Sequence, residues 1–242
     1  MKGKEWYQTA EVAEEYEDKR FSRGGRLIDR REKEAVLSAL DPLEGKRVLE
    51  IACGTGRFSA MLASQGADVI GLDISDAMLS QGREKAHRSG VDDHLEFVRG
   101  DASRLPFPDD HFDAVLAMRF FHLIPNPDRY LREIRRVTDD QLVFDTFNTP
   151  STRAVYNWLL PMGSRLYSEM DVRGMLDRTE FDLVSAEHDF LVPYGLYRAI
   201  PGSIAEAIYR ADERLGRTDV GENLASVTYW NSRIREQPEI DR

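Results

Sequence analysis

The sequence predicts an α/β fold: a doubly wound, mostly parallel seven-stranded sheet with helices on both faces. A helical lid is expected ahead of the sheet, and helical cap insertions near the C-terminus. Three observations predict this. From about residue 46, short apolar runs alternate with helical patterns, the arrangement of βαβ units. A Gly-rich turn, Ala52-Cys53-Gly54-Thr55-Gly56, follows the first of these runs directly. Asp73 and Asp101 stand at the ends of two successive runs, where open α/β sheets bind their ligands.

Composition narrows the class. The 242 residues fit one large α/β domain, and 41% hydrophobic residues are enough for a sizeable core. No apolar run approaches the ~20 residues that span a bilayer. Met1–Trp6 carries lysines without a following apolar segment, so no secretory leader is expected and a cytoplasmic protein is. Acidic residues outnumber basic ones by 43 to 33, a net charge of −10, which disfavours a nucleic-acid partner. The single cysteine, Cys53, excludes an intrachain disulfide and a Cys-rich zinc site, and no metal is expected.

The elements follow in order. Thr9–Arg20 and Arg26–Leu40 read as charged amphipathic helices, assigned with residues 1–45 to the lid. The core, residues 46–147, holds strands at Arg47–Ile51, Asp68–Leu72, Leu95–Arg99, Phe112–Met118 and Gln141–Phe147. A helix with Phe58, Met61 and Leu62 on one face is expected to close at Gly66. Another starts with Asn126 and Pro127 and buries Tyr130, Leu131, Ile134 and Val137. Thr138-Asp139-Asp140 reads as the turn before the fifth strand. Residues 148–242 belong to the same domain and supply cap helices and two further strands, Phe181–Leu191 and Ser226–Ile234.

The turn carries the chemistry. Glycines let the chain bend tightly and let a ligand approach bare backbone, and the following helix N-terminus offers N–H groups to an anion. Gly54 and Gly56 fit Gly-x-Gly, but Ser59 replaces the third glycine of the dinucleotide fingerprint. Glu50 puts a carboxylate near the end of a strand expected to be buried on both faces, a costly place without a partner. Asp73 has the spacing of an acid that grips ribose hydroxyls, or of a charge beside a Ser75 helix cap. Asp101 reads equally as a turn former after Gly100.

Val48-Leu49-Glu50-Ile51-Ala52-Cys53-Gly54-Thr55-Gly56 resembles the first motif of class I methyltransferases dependent on S-adenosylmethionine (SAM), which share a Rossmann-like fold. Gly71–Ser75 with Met78-Leu79, Gly100-Asp101-Ala102 with Leu105-Pro106-Phe107 and Phe112-Asp113, and Leu131–Val137 are similar to later segments of that family. The resemblance spans roughly residues 46–147. It implies SAM as cofactor and contacts at Glu50, Ala52, Cys53, Gly54, Gly56, Asp73, Ile74, Met78, Asp101, Ala102 and Met118. Gly54 and Gly56 would meet the methionine part and Asp73 the ribose. Asp101 and Ala102 would reach the adenine, with Ile74 on its ring, and the Met118 carbonyl would take the ammonium. The family often has Pro-Gly-Gly before strand five, which this chain lacks.

SAM brings an electrophilic methyl, so the protein must align an acceptor and exclude water. His122, after the fourth strand, is the candidate general base, although a structural histidine fits that position as well. Tyr16, Phe21, Arg119, Tyr194 and Tyr197 are candidate substrate contacts. Neither an Asn/Asp-Pro-Pro-aromatic run nor a free nucleophilic cysteine is present, which disfavours DNA methylation. A small organic acceptor, methylated on O, N or C, is expected. The alternatives are a catalytically silent SAM-binding or scaffold protein and, on Gly-x-Gly with Asp73, a nicotinamide-dependent oxidoreductase.

Overall fold

The computed structural model describes residues 25–151, 154, 164–192, 194–216, 218, 221 and 224–236. Seven strands form one sheet: β1 (Arg47–Ile51), β2 (Asp68–Asp73), β3 (Leu95–Arg99), β4 (Phe112–Ala117), β5 (Thr138–Phe147), β6 (Phe181–Asp189) and β7 (Val227–Ile234). Their order is β3-β2-β1-β4-β5-β7-β6. The first five run parallel, whereas β7 pairs antiparallel with both β5 and β6. The expected doubly wound, mostly parallel sheet is therefore present.

Alternation along the strands sends successive side chains into two separate cores. Val48, Leu116 and Val143 face one layer, formed by α1 (Gly25–Leu40), α2 (Arg57–Ala63) and α3 (Asp76–Ser89). Leu49, Ala117 and Leu142 face the other, formed by α4 (Pro127–Val137) and α5 (Glu169–Arg178). The last helices, α6 (Tyr194–Ala199) and α7 (Gly202–Gly216), join the first layer through Tyr194, Tyr197 and Tyr209. Leu131, Ile134 and Val137 of α4 are fully buried, as its period-3.6 pattern requires, and Pro127 opens that helix.

The boundaries differ in four informative places. Thr138-Asp139-Asp140 forms no turn; α4 passes directly into β5, and Thr138 already pairs with Phe112. Neighbouring turns use the α4 end instead, with His111 N–H donating to Val137 O at 2.9 Å. Helix α2 stops at Ala63 with Ser64 as its cap, so Gly66 (φ 89°) shapes the loop beyond rather than closing the helix. Met118 lies one residue past β4, because the chain swings into a left-handed residue at Arg119 (φ 61°). Strand β6 ends at Asp189, where Phe190 (φ 57°) bends away and donates its N–H to the Asp189 side chain at 2.9 Å. The expected helix Thr9–Arg20 lies outside the described residues.

Candidate cofactor and acceptor site

Adjacent β1, β2, β3 and β4 end side by side, which gathers Ala52–Gly56, Asp73-Ile74, Asp101-Ala102 and Met118 along one rim of the sheet. The Gly-rich turn is bound on both sides. Cys53 N–H donates to Leu72 O at 3.1 Å, and Gly56 N–H to Cys53 O at 3.0 Å. Gly54 (φ 57°) and Gly56 (φ 68°) are left-handed, the conformation glycine adopts without a steric penalty. Among the described residues, a Cβ built on Gly54 would meet nothing within 4 Å.

Gly56 is glycine for a second reason. A Cβ there would lie 2.5 Å from the Phe97 ring, and one on Gly71 or Gly82 would come within 2.9 Å or 2.8 Å of the same ring. Phe97 of β3 thus fills the space left by three missing side chains, in the turn, in β2 and in α3. Sequence reasoning missed this packing centre. Its signal was glycine inside a strand and inside a helix, which marks a close approach.

The acids at the strand ends hold backbone. Asp73 Oδ2 accepts from Gly54 N–H at 2.9 Å and Oδ1 from Ser75 N–H at 2.8 Å. Burial raises its pKa, and these backbone donors oppose the rise. Ser75 caps α3 by accepting from Met78 N–H, so the capping and cofactor-side readings of Asp73 describe one arrangement. Glu50 is buried near the end of β1. Its buried carboxylate accepts from both the N–H and the hydroxyl of Ser59. Burial lifts Glu50 to about 7, opposed by Ser59 and Arg57. Ser59, noted only as a departure from the dinucleotide pattern, is therefore the partner that a buried Glu50 needs.

The other contacts separate by exposure. Cys53, Met78, Ala102 and Met118 are buried, Ala52 and Ile74 half-buried, and Asp101 exposed, accepting from Ser103 N–H at 2.9 Å. Burial also pushes the Cys53 thiol up, which keeps it protonated. His122 sits in a short 3₁₀ turn (Phe121–Leu123), half-buried, its ring 4.9 Å from that of Phe147. Tyr167 anchors this turn by donating to Phe121 O at 2.9 Å.

Arg119 lies between the Phe147 and Tyr194 rings, 4.8 Å from each centroid, and Tyr194 packs edge-on against Phe147. His122, Arg119 and Tyr194 thus converge on Phe147. Tyr197 does not join them. It is fully buried in the cap, where its hydroxyl donates to Asp212 at 2.6 Å, so its proposed substrate contact is withdrawn. Tyr16 and Phe21 lie outside the described residues. Sequence reasoning also missed Asp145, buried on β5, which accepts from Arg119 N–H and which burial lifts to about 6.

The strand order with its antiparallel seventh strand, joined to this turn and its acids, defines a class I methyltransferase fold. Residues 49–141 match the model of the methyltransferase domain family. A demethylmenaquinone methyltransferase of Clavibacter sepedonicus is 42% identical over 118 residues, which cover 48% of this chain and 47% of that protein. A sterol 24-C-methyltransferase of Gibberella zeae is 30% identical over 77% of this chain and 45% of its own length. The chain thus spans about half the length of these curated relatives. Among solved structures, magnesium protoporphyrin IX methyltransferase from Synechocystis PCC 6803 with bound S-adenosylhomocysteine (SAH) shares the fold. It has a TM-score of 0.64 at 19% identity, covering 87% of this chain and 84% of that one. Among the described residues, no helix is long and apolar enough to cross a membrane.

Proposed function

We propose that this protein transfers the methyl group of SAM to a small organic acceptor. The observation that carries the proposal is the Asp73–Gly54 pair. The acid at the end of β2 clasps the turn after β1, and no described residue comes within 4 Å of where a Gly54 side chain would lie. In this reading the Gly54–Gly56 backbone and the start of α2 receive the methionine end of SAM. Asp73 uses its remaining lone pairs for the ribose. Ile74, Met78, Asp101 and Ala102 surround the adenine, and the Met118 carbonyl takes the ammonium. SAM supplies the electrophilic carbon; the chain's own work is to hold donor and acceptor in line and exclude water.

The acceptor side is the cluster of His122, Arg119, Phe147 and Tyr194. Phe147 and Tyr194 are buried and back the half-buried His122 and Arg119, and an aromatic wall of this kind suits a flat or apolar acceptor, in keeping with relatives named for quinone and sterol methylation. His122 is half-buried against Phe147 and is assigned to shaping this wall, with proton abstraction as its second possible role. A three-part organisation (lid 1–45, core 46–147 and cap 148–242) and a cytoplasmic location complete the proposal. The test is transfer of labelled methyl from SAM to a panel of phenolic, quinol and sterol acceptors. Turnover of at least one supports it. SAM binding with no transfer to any of them favours the silent SAM-binding alternative.

A further inference from the structure

Resting on that SAM-binding reading, we propose that Glu32 of α1 is a positioning residue for the cofactor site. It makes SAM affinity depend on a side chain outside residues 49–141. The Glu32 carboxylate is fully buried. Its Oε1 accepts from Arg119 Nη1 at 2.9 Å, and its Oε2 accepts from Arg57 Nη2. These two arginines mark two different turns. Arg57 opens α2 directly after Gly56, and Arg119 takes the chain out of β4 directly after Met118. One carboxylate therefore spans both turns on which the methionine end of SAM is placed.

Each arginine is fixed at a second point, so a movement of Glu32 is transmitted to backbone. Arg119 holds a left-handed φ of 61°, a conformation that costs free energy in any residue with a Cβ. Its N–H is tied to Asp145 Oδ1 on β5, while its guanidinium lies between two aromatic rings. Arg57 donates through Nη1 to Asp29 Oδ1 at 2.6 Å and lies 3.7 Å over the Phe58 ring. A buried ion pair adds little net stability over apolar packing, but it fixes geometry, and losing one partner strands the other charge. With Glu32 neutralised, two guanidiniums share a buried site with less compensation. Relief comes by shifting the turns that carry them.

The experiment is calorimetric titration of the full chain with SAH, comparing wild type, Glu32→Gln, Arg119→Met and the double variant. Arg31→Met is the control, since Arg31 ties the same helix to Asp189 (3.3 Å) and touches neither turn. Glu32→Gln is expected to weaken SAH by roughly tenfold or more in a cooperatively folded protein. The double variant should be no weaker than the worse single, because the two act as one unit. Arg31→Met should lower the melting temperature and leave affinity unchanged, separating positioning from mere anchoring. If Glu32→Gln does not fold, Arg119→Lys, which keeps the charge but loses the planar fork, should show the same loss of affinity. A folded Glu32→Gln or Arg119→Lys protein that binds SAH within about twofold of wild type overturns the inference alone. Absence of SAH binding by wild type overturns the functional reading and this inference together.

Discussion

The rim around Asp73 and the cap around Asp212 both bury acids, but they satisfy them differently. At the rim, each carboxylate accepts backbone N–H groups from close by in the chain: Asp73 from Gly54 and Ser75, Glu50 from Ser59 of α2, whose hydroxyl it also accepts. In the cap, Asp212 likewise accepts the Leu191 and Val192 N–H groups and Asp189 that of Phe190, but phenols and a distant cation take part as well. Tyr197 donates to Asp212, Tyr209 donates to Asp189 at 3.1 Å, and Arg31 of α1 pairs with Asp189 across the fold. Acids that hold main chain shape a surface for a ligand, because they fix where the remaining N–H groups point. Acids that also take phenols and a cation from other helices tie those helices together. Substitution at the rim should therefore cost affinity, and substitution in the cap should cost stability.

The largest effect is expected at Gly56. In Gly56→Val the new side chain meets the Phe97 ring and a strained φ together, so SAH binding should be abolished and the melting temperature should fall sharply. Calorimetry and thermal unfolding on one preparation measure both. Full affinity in that variant would remove the turn from the site.

Asp73→Ala comes next. It leaves the Gly54 and Ser75 N–H groups without their acceptor, and a hydrogen bond to a charged group is worth about 1.5–3 kcal/mol. SAH affinity should fall by at least about tenfold, the equivalent of about 1.4 kcal/mol. The contrasting change is Tyr197→Phe, which removes the hydroxyl bound to Asp212 and is expected to cost about 1–3 kcal/mol of stability. Its SAH affinity should stay at the wild-type value. A Tyr197→Phe protein with normal stability and weakened binding would reverse the distinction between rim and cap.

The smallest effect concerns pH. Glu50 has its folded pKa raised from 4.5 to about 7, so the folded form holds a proton more tightly than the unfolded chain. Its contribution to stability is full in acid and declines as pH rises from about 4.5 through about 7. Glu50→Gln cannot titrate, and its melting temperature should vary less with pH across that window. An unchanged pH dependence would place the raised carboxyl elsewhere, with Asp145 and Asp189 the next groups to replace.

The same contrast explains what was legible in the sequence. The rim was readable because its function is local in the chain: Gly54, Gly56, Asp73 and Asp101 mark their own turns by residue type and spacing. The strands were readable through alternation, and β1 and β3 match their expected bounds residue for residue. What was missed depends on pairs far apart in sequence. Glu32 meets Arg119 across 87 positions and Asp145 meets Arg119 across 26, and no local pattern announces either. Tyr197 was misplaced because an aromatic residue near a site and one inside a helical cluster look alike until the fold decides. The turn read at Thr138-Asp139-Asp140 failed for a related reason. Polar residues signal a turn only if no strand runs through them, and here β5 starts at Thr138 and takes Asp139 and Asp140 into a bulge between its Thr138 and Gln141 pairings.

The central claim is that the Gly54 backbone and its Asp73 clasp receive SAM. Calorimetric titration of the wild-type chain with SAH, followed by displacement with SAM, tests it most directly. The account predicts saturable, stoichiometric SAH binding that SAM competes away and NADH does not. No saturable response to SAH or SAM, together with fluorescence quenching by NADH, would contradict it and return Gly54-x-Gly56 and Asp73 to a nicotinamide cofactor.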